Sequence, residues 1–216
     1  MIPWRVKNMI SERFPLLYHV IANWGTRGND VAHWDLRLAE SWDSPGWDWP
    51  TRNELVASAC SHDDAVLDVG CGTGTTLRYL RQKGHHKLTG LDIFGYAVDR
   101  LNADGIHARR GSGVALPFDD ASFDVVVAAE VLEHIVRRGR FAREIRRVLR
   151  PGGRAFLFVP DDCLGPLEEP EHVYRYTRES LARFLYRYFS TVDTRTIRDV
   201  NHRMPILFAC ARTTWQ

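Results

Sequence analysis

No CxxC pair occurs among the four cysteines, Cys60, Cys71, Cys163 and Cys210. That absence argues against a zinc ribbon, a thioredoxin-type redox site and a disulfide framework, and a reducing cytoplasm is the expected compartment. Lysine is scarce, with 3 among the 29 basic residues, so the abundance of arginine reads as coding bias rather than as a recognition device. Neither sign of charge dominates: the net charge is +2, too weak a field to select nucleic acid as a partner. No apolar run approaches the roughly 20 residues that span a bilayer, and residues 1–10 lack a signal-peptide apolar region, so a membrane partner is not expected. Internal repeats and low-complexity tracts are also missing. What remains is ordinary globular composition, 216 residues with 44% hydrophobic and 26% charged, enough for one domain with its own core and no need of stapling.

Six of the seven tryptophans, Trp4, Trp24, Trp34, Trp42, Trp47 and Trp49, fall in the first 50 residues, and the composition changes near residue 60. Residues 1–60 are therefore read as an N-terminal Trp-rich helical cap and residues 61–216 as the core of a single domain. From Ala65 the pattern is regular. AVLDVG reads as a buried strand, TTLRYLRQKG as a helix closed by Gly84, KLTGLD as a second strand, and residues 96–102 as a second helix. HARRG is a weak third strand and FDVVVAA a fully buried fourth. A helix over 138–149 is stopped by Pro151, Gly152 and Gly153, and RAFLFVP follows as a fifth strand. A helix over 178–188 and the strands TVDTRTI and PILFACAR close the chain. Continuous apolar strands between helices imply a Rossmann-like α/β sandwich: seven strands, mostly parallel, with helices on both faces.

Gly70, Gly72 and Gly74 alternate where the first strand turns into a helix, a position where only a backbone without Cβ lets a ligand approach closely. Asp92 ends the second strand, where a carboxylate can accept from both hydroxyls of an adenosine ribose. The spacing is GxGxG rather than GxGxxG. Asp68 at the end of the first strand would repel a pyrophosphate and attract an ammonium group, which favours S-adenosyl-L-methionine (SAM) over a dinucleotide.

With those residues in view, VLDVGCGTG, LTGLDIF, ALPFDDASFDVVVAAEVLEHI and IRRVLRPGG together resemble the class I SAM-dependent methyltransferases over about residues 60–190. Within them the chain is most similar to the small-molecule branch that includes ubiquinone-biosynthesis-type O-methyltransferases. The resemblance implies that Asp68, Gly70, Cys71, Gly72, Thr73 and Gly74 line the methionine side of SAM. It also implies that Asp92 holds the ribose, that Ile93 packs on the adenine, and that the last strand is antiparallel. Where many relatives carry Gly-Asp, this chain reads Gly111-Ser112-Gly113. Ser112 is expected to accept from the adenine amino group without charge, with the backbone of Gly113 or Val114 sharing the recognition, unless the triplet is only a turn.

After the fourth strand come Glu130, Glu133 and His134, at the strand end where open α/β sheets bind ligands. Methyl transfer from a sulfonium needs in-line positioning more than acid–base apparatus, and for a hydroxyl acceptor His134 is the first candidate base. In the alternative, Glu130 touches the cofactor through its backbone while Glu133 and His134 cap a helix. In some relatives of the resembled family the matching Glu, Glu and His bind a divalent metal. Glu130, Glu133, His134 and His172 would supply that site, although no metal is the preferred expectation. His172 reads more simply as a residue facing the substrate, with Tyr174 and Tyr176 on the same wall. The arginines between 137 and 154 share a helix with the apolar stripe Phe141, Ile145, Val148 and Leu149, so a solvated helix face is preferred over a nucleic-acid track. The Trp-rich cap is where the family places its substrate cover. The expected activity is methyl transfer from SAM to a small-molecule hydroxyl, leaving S-adenosyl-L-homocysteine. The alternatives are a metal-dependent RNA-terminal ribose methyltransferase and a SAM-binding module without catalysis.

Overall fold

The computed structural model describes residues 4–22, 36, 38–40, 42, 49–161, 169, 171–202 and 204–213. Two short helices, α1 (Trp4–Arg13) and α2 (Pro15–Ala22), open the chain, and α3 (Pro50–Ala59) leads into the sheet. Trp24, Trp34 and Trp47 of the expected substrate cover lie outside the described residues. The strand and helix alternation then runs β1 (Val66–Val69), α4 (Thr75–Gln82), β2 (Leu88–Asp92), α5 (Gly95–Ala103), β3 (Ala108–Arg110) and β4 (Phe123–Ala129). It continues with α6 (Arg138–Val148), β5 (Leu149–Pro160), α7 (Arg178–Leu185), β6 (Thr191–Arg198) and β7 (Pro205–Arg212).

The seven strands form one sheet in the order β3-β2-β1-β4-β5-β7-β6. Strands β1 to β5 pair in parallel, and β7 runs antiparallel to both β5 and β6. The inner strands are apolar on both faces because both are covered. No alternation of buried and exposed positions runs along β1, whose four residues are all buried, as expected for a central parallel strand. On one face α6 and α7 deliver Phe141, Ile145, Leu181 and Leu185 to the main core. On the other, α3 sets Val56 and Ala57 against Val125, Phe156 and Phe208, so the last turns of the segment read as cap pack directly onto the sheet. Each Val, Leu, Ile or Phe among them contributes roughly 1.5–3 kcal/mol by leaving water.

The largest departures from the boundaries the sequence implies are at the start of β5 and the end of α7. Leu149 opens β5 rather than closing the preceding helix, and the Pro151-Gly152-Gly153 stop lies inside that strand. The β4–β5 register shifts between Phe123 and Val125. A Cβ on Gly153 would lie 2.9 Å from the Arg150 carbonyl and 3.0 Å from that of Asp124, so the glycine allows the irregular pairing to close. Helix α7 ends at Leu185, not at 188. The arginine run divides into work within the fold and a wet face. Arg147 pairs with Glu144 and Asp120, Arg150 with Asp124, and Arg154 with Asp64, whereas Arg140, Arg143 and Arg146 are exposed. Among the described residues no helix is long and apolar enough to cross a membrane.

Candidate active site

Strand order reverses between β1 and β4, and the crevice at the carboxyl ends of open parallel strands is where such sheets bind ligands. A cleft of about 660 Å³ opens there. Its floor is the turn after β1. Gly70, Gly72 and Gly74 have φ of +73°, +49° and +74°, left-handed conformations that side chains with a Cβ rarely adopt. The turn is pinned from β2: the N–H groups of Gly70 and Cys71 donate to the Leu91 carbonyl at 2.7 and 3.1 Å. Asp92 completes it, accepting from Gly72 N–H at 2.8 Å and from Phe94 N–H at 3.1 Å. The carboxylate thus shapes the loop as well as standing in the cleft wall.

Of the residues expected to face SAM, Asp68, Gly70, Cys71, Gly72, Thr73, Asp92, Ile93, Ser112, Gly113 and Glu130 line this cleft. Gly74 and Val114 do not. Gly74 is the N-cap of α4 and backs onto Leu101, and Val114 packs against the main core. Ile93 is 42% exposed, an apolar face turned to the cleft. Ser112 is partly engaged in a local turn, its hydroxyl accepting from Val114 N–H at 3.4 Å. The Cys71 sulfur packs beside Gly90, so the thiol faces the core and burial pushes its pKa well up.

Asp68 is 3% exposed. Burial pushes its pKa up to about 7, opposed by the positive charge of Arg52 and reinforced by Asp92. Arg52 is not among the site residues that the sequence suggests. It stands in the first turn of α3, only 5% exposed and lining the cleft. Its Nη2 donates to the Thr75 hydroxyl at 3.4 Å, and its guanidinium lies 5.3 Å from the Trp49 ring. The sequence does carry one signal for it: a cation in the first turn of a helix opposes the macrodipole, and so asks for another use.

At the other end of the cleft β4 runs out into Glu130, which holds φ +55°, and then into a 3₁₀ turn, Leu132–His134. The Glu133 carbonyl accepts from Val173 N–H at 2.7 Å and Tyr174 N–H at 3.2 Å. That pairing brings His172 beside His134, their rings edge to face with centroids 4.7 Å apart. His134 Nδ1 lies 3.1 Å from the Glu171 carbonyl. Because a carbonyl only accepts, Nδ1 carries the proton in the neutral ring. Glu133 is 1% exposed, and neither of its carboxylate oxygens has a hydrogen-bond donor. Burial pushes the proton affinity of both Glu133 and Glu130 upward, and the adjacent Glu130 carboxyl adds to the rise at Glu133. Ligand atoms of Glu133, His134 and His172 all lie within 4.8 Å of one another.

Residues 67–157 match a family described as a methyltransferase domain. Among curated relatives, 27-O-demethylrifamycin SV methyltransferase of Amycolatopsis mediterranei is 38% identical over 109 residues, 45% of this chain and 40% of that protein. The chain spans about half the length of the curated relatives it matches. Over residues 67–157 the chain is similar to these methyltransferases. Solved structures share the fold. The methyltransferase partner of the Haloferax volcanii Trm112 activator is similar with a TM-score of 0.72 at 21% identity, covering 87% of this chain and 99% of that one. A Burkholderia thailandensis 1,6-didemethyltoxoflavin-N1-methyltransferase, solved with S-adenosylhomocysteine, gives a TM-score of 0.66 at 21% identity, covering 84% and 87%. SAM, the cofactor of these methyltransferases, fits the residues present. The glycine turn leaves a backbone cradle, Asp92 borders it, and Asp68 and Arg52 offer opposite charges to the two ends of an amino acid.

Proposed function

We propose that the chain transfers the methyl group of SAM to a small-molecule acceptor at a hydroxyl oxygen. The observation that carries this reading is the placement of the His134 and His172 pair in the same cleft as the glycine turn. In this reading Asp92 accepts from the ribose hydroxyls, Ile93 covers the adenine, Asp68 accepts from the methionine ammonium, and Arg52 donates to the methionine carboxylate. Sulfonium transfer needs an in-line oxygen and little else, because the leaving thioether is neutral. Positioning alone supplies about 7–11 kcal/mol. With Nδ1 committed to the Glu171 carbonyl, Nε2 of His134 is the nitrogen that takes the hydroxyl proton as the O–C bond forms, and His172 faces the acceptor. The name of the Amycolatopsis relative, with its 27-O position, supports an oxygen acceptor.

A second reading has one observation in its favour: the buried Glu133 carboxylate without a donor, beside two imidazoles. Glu133, His134 and His172, with Glu130 adjoining, would hold a divalent cation, and such an ion lowers the pKa of an oxygen bound to it. The two readings separate in one experiment. A screen of candidate acceptors with radiolabelled SAM, run with and without EDTA, identifies the acceptor class. If His134 is the base, His134→Ala lowers turnover by about 10²–10⁴-fold and EDTA changes nothing. Loss of turnover in EDTA, restored by Mn²⁺, Mg²⁺ or Co²⁺, decides for the cation. The absence of transfer to any acceptor, with SAM bound, would reduce the protein to a SAM-binding module.

A further inference from the structure

Helix α3 begins without a cap of its own, since Trp49 at its N-cap makes no side-chain capping bond. The missing acceptor comes from 147 residues away. One oxygen of Asp199, in the loop between β6 and β7, accepts from Thr51 N–H at 2.9 Å and from Arg52 N–H at 3.2 Å. Its other oxygen accepts from Asn201 N–H at 3.1 Å, and the carboxylate is buried, with Asp199 5% exposed. The grip is mutual, because the Thr51 hydroxyl accepts from Val200 N–H at 3.2 Å. His202 of the same loop stacks on Trp49, rings 3.6 Å apart and 15° from parallel, and Met204 lines the cleft.

A carboxylate at these N–H groups satisfies donors that the helix leaves open and offsets the positive end of its dipole. It also fixes the backbone of the residue whose guanidinium lies in the cleft, where its charge acts on both Asp68 and Glu130. The loop therefore has a means of setting where Arg52 stands.

We propose that Asp199, supported by the His202 stack, is a positioning residue for the amino-acid end of the cofactor. It touches no part of SAM, and acts by seating the first turn of α3 so that Arg52 meets the methionine carboxylate. This inference rests on the reading of Arg52 given above. The C-terminal hairpin, remote in sequence from every glycine of the cofactor turn, thereby controls cofactor affinity.

Two ligands separate positioning from general stability. S-adenosylhomocysteine carries the amino-acid end. 5′-Methylthioadenosine keeps the adenosine and the sulfur but lacks the carboxylate and ammonium. Calorimetric titration of both into the full chain and its variants is the test. Arg52→Ala should weaken S-adenosylhomocysteine by about 10–100-fold and leave methylthioadenosine unchanged. Asp199→Ala should weaken S-adenosylhomocysteine by about 5–30-fold, again without effect on methylthioadenosine. The double variant should bind no worse than Arg52→Ala alone, because both changes remove one interaction. Asp199→Asn keeps an oxygen acceptor without the charge, serves if the alanine variant does not fold, and should give a smaller loss with the same selectivity. Should Asp199 variants weaken both ligands alike, leave both unchanged, or add in full to Arg52→Ala, the positioning role is overturned while Arg52 stands. If Arg52→Ala itself fails to distinguish the ligands, the reading of Arg52 falls and the inference with it.

Discussion

The two ends of the cleft are built by different means. The cofactor end is made of three short consecutive stretches, at residues 68–73, 92–93 and 111–113, and most of its shape is backbone: glycines at positive φ and N–H groups held by Leu91 and Asp92. The acceptor end is made of side chains drawn from distant segments, with Glu130 and His134 meeting His172 and Met204 only in the fold. Steric rules fix the first. Tertiary packing and buried charge fix the second.

The largest expected effect tests that contrast at two residues in the same backbone region. Gly70 and Glu130 both hold positive φ, +73° and +55°, yet only one is a glycine. Gly70→Ala places a methyl group into the Val131 side chain and adds backbone strain of about 1–3 kcal/mol. A marked fall in the thermal midpoint and loss of S-adenosylhomocysteine binding are expected. Glu130→Gly does the reverse. It relieves strain and removes a buried acid, so the ligand-free protein should gain about 1 kcal/mol after the entropic disadvantage of glycine is counted, while turnover falls. Denaturant melts of the two variants compare them directly. A destabilised Glu130→Gly protein would show that the acceptor end is held by its side chain as firmly as the cofactor end is by its backbone.

The same division explains what is legible in the chain. Periodicity places every strand, because buried parallel strands leave unbroken apolar runs, and glycine spacing with Asp92 locates the turn that floors the cleft. The helix-to-strand boundary at Leu149 is not legible, since Pro151-Gly152-Gly153 reads locally as a stop and only the pairing of Leu149 with Phe123 shows it to be part of β5. Val114 escapes the sequence because a residue next to a binding turn can face inward as easily as outward. Arg52 and Asp199 escape it for a different reason. Their roles exist only once α3 and the β6–β7 loop meet, and no local pattern encodes a helix cap supplied from 147 residues away.

A middle-sized effect is expected at Asp92. In a ribose contact its charged hydrogen bonds are worth about 1.5–3 kcal/mol, so Asp92→Ala should weaken S-adenosylhomocysteine by that amount. Methylthioadenosine also has the ribose, so it should weaken equally, the opposite selectivity to Arg52→Ala. The structure adds a second consequence: with Gly72 N–H and Phe94 N–H losing their acceptor, the thermal midpoint of the ligand-free variant should fall as well. Undiminished affinity for both ligands in a folded Asp92→Ala protein would remove this residue from the cofactor end.

The smallest effect is a pH dependence that joins the two ends at Asp68. Burial raises its pKa from the ordinary aspartate value of 3.8 to about 7, although Arg52 works against that rise. A raised acid binds its proton more tightly folded than unfolded. The stability it contributes is therefore complete below pH 3.8 and is lost as pH climbs through 7. The cofactor reverses the preference, because an ammonium group favours the carboxylate. Affinity for S-adenosylhomocysteine should accordingly strengthen between about pH 6 and pH 8, by roughly tenfold for a group titrating near neutrality, as ligand-free stability drifts the other way. Asp68→Asn should flatten both curves, whereas Glu130→Gln should leave the affinity curve in place, since Glu130 is not assigned to the ammonium. An affinity profile that survives Asp68→Asn and vanishes in Glu130→Gln would move the ammonium across the cleft, and would make the acceptor end part of the cofactor site.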